Sequence, residues 1–147
     1  MWPQRPFWHP AAVLILWTMV MLTWIAVSRF PAIAKVPKEK LRTLPPVGAR
    51  GQDLERVLPD HVNWKAHNYS HLVEQPTVFY AAIFILALVG SSNGVSLWLA
   101  WAYVVIRIAH SLWQATINTI PIRVLLFALS SICLIGLAVQ CVWLTLF

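Results

Sequence analysis

Four long apolar runs, three of them separated only by short polar turns, set the outline of this chain. Residues 11 to 28 carry no charge, and at 1.5 Å per residue they cover roughly 27 Å, close to the ~30 Å of a bilayer's hydrocarbon. Arg29 and Phe30 close the run, and Pro31 is expected to stop the helix. The preceding residues 1–10, rich in Trp and Pro, read as an interfacial anchor. A second helix is expected over about 61–89, with Asp60 as its N-cap. Its first part is amphipathic and its second part, VFYAAIFILALV, is wholly apolar. Pro76 is expected to kink it and release the carbonyl of Leu72. Gly90-Ser91-Ser92-Asn93-Gly94 reads as a turn, followed by a third helix over about 95–118. Asn118-Thr119-Ile120-Pro121 is the next turn, and the fourth helix covers about 121–145. The pattern predicts an all-α membrane protein: one four-helix transmembrane bundle over residues 1–147, with spans at about 11–29, 61–89, 95–118 and 121–145.

Composition agrees, since 59% of the residues are hydrophobic and 11% charged, more apolar surface than a water-soluble fold of this length can bury. The formal net charge of +6 does not point to nucleic acid. Lys35, Lys38, Lys40, Arg42, Arg50 and Arg56 all lie in the connection between the first two spans, where positive charge acts as an orientation signal. That bias places both termini and the 91–94 turn outside, as expected of a multi-pass protein of a bacterial inner membrane. Trp2, Trp8, Trp98, Trp101 and Trp143 then form an outer aromatic belt, with Trp64 and Trp113 near the inner interface. Residues 11–28 lack an A-x-A-like exit, so they are expected to stay as a span and not be cleaved. Cys133 and Cys141 fall on one helix about 12 Å apart, too far to bridge.

The chemistry concentrates in AHNYSHLVEQPTVFY, residues 66–80. His67, His71 and Glu74, spaced by four and three, share one helix face. Ionisable groups at membrane depth mark function. Glu74 lies roughly 24 Å of helix from the 90–94 turn, Arg107 roughly 20 Å and His110 roughly 24 Å. Matched depth in a low-dielectric region predicts a Glu74–Arg107 or Glu74–His110 pair, within one subunit or across an interface. Imidazole plus carboxylate also suits zinc or iron, but no second matching motif accompanies the face, and no metal site is assigned. No phosphate loop, dinucleotide fingerprint or HExxH motif occurs.

The stretch NYSHLVEQPTVFYA, followed by WAYVVIRIAHSLWQATIN and IRVLLFALS, closely resembles the small bacterial members of MAPEG, the membrane-associated proteins of eicosanoid and glutathione metabolism. The resemblance covers roughly residues 10–145. It implies a homotrimer of four-helix bundles with glutathione held between subunits at the cytoplasmic side. Active members carry R-x-x-x-N-x-x-E on the second helix. Glu74 matches the glutamate, while His71 stands at the asparagine and His67 at the arginine. A histidine is a poorer carboxylate clamp than a bidentate arginine. Arg107 resembles the third-helix arginine and takes the catalytic role. His67, Asn68, His71, Glu74, His110 and Arg123 make up the ligand-binding set that the resemblance implies.

Three readings of function follow. In the first, the protein is a glutathione-dependent transferase or peroxidase acting on lipophilic substrates. In the second it is a non-catalytic small membrane subunit of a larger complex, partnered by other membrane proteins. A metal-dependent or lipid-modifying enzyme using His67, His71 and Glu74 is a third. The residues by themselves leave open whether the chain is an enzyme.

Overall fold

The computed structural model describes residues 5–90 and 94–147. Trp2 and the Ser91-Ser92-Asn93 part of the expected turn lie outside them. Every long element is a helix: α1 (Arg5–Ala34), α3 (Asp60–Leu88), α4 (Gly94–Thr116) and α5 (Ile120–Leu146). Each of the four is long and apolar enough to cross a membrane, and the chain is an integral membrane protein of the helix-bundle class. The connection after α1 contains only one turn of α-helix, α2 (Lys38–Leu41), and one 3₁₀ turn at Asp53–Arg56, as its proline and glycine content favours.

α3 and α4 form the middle of the bundle, each touching all three other long helices, while α1 and α5 flank them. The exposure follows: 39% of the most apolar stretch of α4 is buried, against 17% for α5. Phe79, Ile83 and Leu86 of α3 pack with Tyr103 and Val104 of α4, Leu14 and Met21 of α1, and Leu137 of α5. Phe79 stacks on Tyr103 with ring centroids 4.5 Å apart. Trp8 near the start of α1 meets Phe84 near the end of α3, so these helices run antiparallel.

Several helix boundaries differ from the sequence expectation. Pro31 does not stop α1, which runs through it to Ala34 and begins as early as Arg5, with Pro10 also inside. Pro31 sits in the last turns, so it forfeits one bond at a fraying end where water can serve the released carbonyl. Asp60 is the first helical residue and not the cap, because Pro59 occupies that position with φ −61° and ψ 144°. A carboxylate in the first turn still opposes the positive end of the helix dipole. Pro76 is buried within α3, which continues through it as one element. Pro121 lies in the first turn of α5, where its missing N–H costs nothing. Gly90, at φ 76°, supplies the left-handed turn after α3.

Polar contacts tie the helices internally. Trp17 Nε1 and Asn68 Nδ2 both donate to Ser111 Oγ, at 3.0 and 2.7 Å, joining α1, α3 and α4. Gln75 donates to Ser131 at 2.8 Å, Ser96 bonds Gln140, and the Cys141 thiol faces the Ala82 carbonyl at 3.5 Å.

Candidate functional site

At the end of the bundle that carries the 35–59 connection, a cleft of about 430 Å³ opens between α3, α4 and α5. This falls within the usual size range of small-molecule sites, ~300–1,000 Å³. His71 enters from α3, His110 from α4, and Arg123, Val124 and Phe127 from the first turns of α5. Each position follows from local rules. His71 lies three residues after Asn68, one step off the core stripe of α3, and is half-buried. Arg123 and Phe127 are four apart, so they share a face of α5.

The α4–α5 turn fixes Arg123. Asn118 takes φ 60°, a conformation Asn tolerates well, and its side-chain Oδ1 accepts from Arg123 Nη1 at 2.8 Å. Trp113 Nε1 donates to Thr119 Oγ1 at 3.0 Å across the same turn. Arg107 forms the wall behind the cleft. It is 1% exposed, its Nη2 donates to the His71 carbonyl at 2.9 Å, and its guanidinium lies 5.6 Å from the Phe127 ring centre. That attraction between a cation and a ring face is strongest where water is excluded. The His71 and His110 rings meet edge to face at 6.4 Å, and Phe127 lies 6.4 Å from His110. The Nε of both Arg107 and Arg123 is buried without a hydrogen-bond partner.

The sequence-derived set therefore divides. His71, His110 and Arg123 line one cleft, with Arg107 directly behind. Glu74 stands 3.6 Å from His71 Nδ1, but its side chain is 70% exposed on the outer face of α3. The expected pair with Arg107 or His110 does not form within the subunit. Depth sets the height of a residue along a helix and leaves its direction around the axis free; Glu74 faces out while Arg107 faces in. His67 turns away toward the connection, with Nε2 2.9 Å from Glu55 Oε1. Asn68 is buried on Ser111 and does not line the cleft. The sequence marks Asn118 only as a turn residue and gives Phe127 no role at the site, although the i, i+4 step from Arg123 to Phe127 is available. Among the described residues no group of three or more His, Cys, Asp or Glu is placed to hold a metal ion.

No curated protein and no solved structure matches the chain significantly. A model of the MAPEG family matches residues 7–143, nearly the whole chain and all four membrane helices. On that match, the chain belongs to the MAPEG family.

Proposed function

We propose that the protein is a glutathione-dependent transferase or peroxidase acting on lipophilic electrophiles, with the His71–His110–Arg123 cleft as its thiol site and Arg107 as its catalytic residue. The observation that carries this reading is Arg107: a guanidinium 1% exposed, bonded to a neutral carbonyl, with no carboxylate partner in any ion pair among the described residues. A buried cation without a counter-ion is costly, and an anion delivered by a ligand removes that cost. The MAPEG family is associated with glutathione use, and the donors present fit such a ligand. Arg107 and Arg123 each keep an unpartnered N–H suited to a carboxylate or thiolate. When bound, glutathione supplies a thiol nucleophile. Arg107 and Arg123 favour negative charge in the cleft. His71 and His110 hold or pass a proton beside it. Phe127, Val124 and Ile120 supply the apolar wall for a lipophilic partner.

A homotrimer belongs to the same proposal, and Glu74 supports it. An ionised carboxylate midway along a membrane helix, left uncovered, costs at least ~2.5 kcal/mol on insertion scales. A neighbouring subunit would cover it and bring it into the site. The same proposal puts the loop end of the bundle on the cytoplasmic side of a bacterial inner membrane, with both termini outside; the lysines and arginines of the connection support it.

Calorimetry with glutathione and turnover of a chromogenic electrophile test the reading. The native protein should bind and turn over, and Arg107→Gln should lower kcat/KM by roughly 100-fold or more, the cost of losing one preorganised charge contact. Absence of both activities in the folded native protein would overturn it. The His67–Glu55 contact favours the alternative of a non-catalytic subunit, since the chain's own carboxylate occupies one clamp position. Co-purification with a defined set of membrane proteins, together with silent calorimetry, would establish that alternative.

A further inference from the structure

A second site, away from the α5 cleft, lies where α1 leaves the membrane. A cleft of about 440 Å³ opens between the last turns of α1 and the start of α3. Lys35, Lys40, His61 and Ser28 contribute its polar groups, and Val36 and Val57 part of its apolar lining. No Asp or Glu lines it. Among the described residues neither lysine nor His61 takes part in an ion pair. Glu39 and Asp60 are neighbours in sequence but do not enter it. Lys65 stands close by, its Nζ on the His61 carbonyl at 2.7 Å and 5.4 Å from the centre of the Trp24 ring.

An apolar groove of about 480 Å³ lies further along the same helix, lined by Leu16, Met19, Val20, Thr23, Trp24 and Val27. The two depressions share one stripe of α1. Val20, Trp24, Val27 and Pro31 follow at steps of four, three and four, which keeps them on one face, and Lys35 is the residue just past the end of α1 at Ala34. From Val20 to Lys35 the stripe runs roughly 22 Å. That is the depth of one leaflet, half of the ~40–45 Å bilayer with its headgroups. The polarity also changes at the right place, from the exposed Val27, at 68%, to Lys35 about two turns later.

We propose that this stripe is a binding site for one anionic phospholipid, its phosphate among Lys35, Lys40 and His61 and an acyl chain along Val20, Trp24 and Val27. A basic cleft between membrane helices at the headgroup level recognises anionic lipid by charge. The groove beside it supplies the apolar contact that a free phosphate cannot use. Neither depression shares a residue with the proposed thiol site, so either proposal can fail alone.

Native mass spectrometry of the full-length protein in mild detergent tests this, with equimolar phosphatidylglycerol and phosphatidylcholine of identical acyl chains. Phosphatidylglycerol should be retained in preference, and Lys35→Gln with Lys40→Gln should cut that preference roughly 25-fold, about fivefold for each lysine. Lys35→Arg with Lys40→Arg should preserve it. Equal retention of the two lipids by the native protein would overturn the site, and that arm needs no variant. Displacement of the lipid by millimolar inorganic phosphate alone would show a phosphate site without a lipid. Disulfide formation between copies carrying Val20→Cys, with lipid excluded, would give the groove to a second copy of the chain instead.

Discussion

Asn68 is 1% exposed, and its amide reaches a serine that a tryptophan of another helix also reaches. Lipid is as apolar as leucine, so hydrophobic burial does little to hold helices together inside it; packing and hydrogen bonds do. Asn68→Ala should therefore cost about 1 kcal/mol, the upper part of the range measured for such contacts in membranes. Equilibrium unfolding in mixed micelles reads this, with Thr116→Val as control, because the Thr116 hydroxyl bonds only its own helix at Leu112. An equal effect of the two changes would mean that the three-helix contact contributes nothing. The placement of Asn68 was legible in principle. Positions 68, 72, 76, 79, 83 and 86 form one buried stripe of α3, and a polar residue in it is easily mistaken for a surface group. Attention to His67, His71 and Glu74 captured the face beside this stripe. One residue of that face, His71, lines the cleft, and spacing along one helix does not reveal which of its residues turn inward once the other helices are packed.

Helix types, numbers and order followed from apolar run length, which is dictated by the thickness of the bilayer and so survives any detail of packing. Ends were harder to read. Proline at Pro31 carries the same local signal whether the next turn frays in water or continues for three residues, and the α3 boundary at Pro59 and Asp60 rests on which of the two takes extended backbone. Contacts between elements were less legible still. Gly136 on α5 is an example: a Cβ there would stand 3.1 Å from Leu99 Cδ1 on α4. The neighbour is the end of a flexible side chain, so Gly136→Ala should lie within about 0.5 kcal/mol of neutral, the small crowding offset by better helix propensity. Gly136→Ile has no such room and should destabilise by roughly 1–3 kcal/mol. Thermal unfolding in detergent checks both. A neutral Gly136→Ile would show that α4 and α5 are not closely packed there.

As a whole the molecule leaves α5 and much of α1 turned outward, facing lipid or another subunit. The proposed trimer makes a distinct prediction through Glu74. If a neighbour covers it, Glu74→Ala should shift the assembly toward monomer in mild detergent while leaving the melting of the monomer itself unchanged, because within one subunit its side chain is 70% exposed. Mass measurement across a protein dilution series checks this. A native protein that stays at monomer mass at every concentration would remove the trimer. Only residues 117–119 separate α4 from α5, and the Arg123–Asn118 bond closes that corner. A hinge so short has a consequence for biogenesis. α4 carries Arg107, His110 and Gln114, a poor passenger for the translocon when offered alone, whereas α5 has no ionisable group beyond Arg123 and its two cysteines. α4 is therefore expected to settle together with α5, the two entering as a helical hairpin. On this route Arg107, the proposed catalytic residue, is carried into the bilayer by the helix synthesised after it.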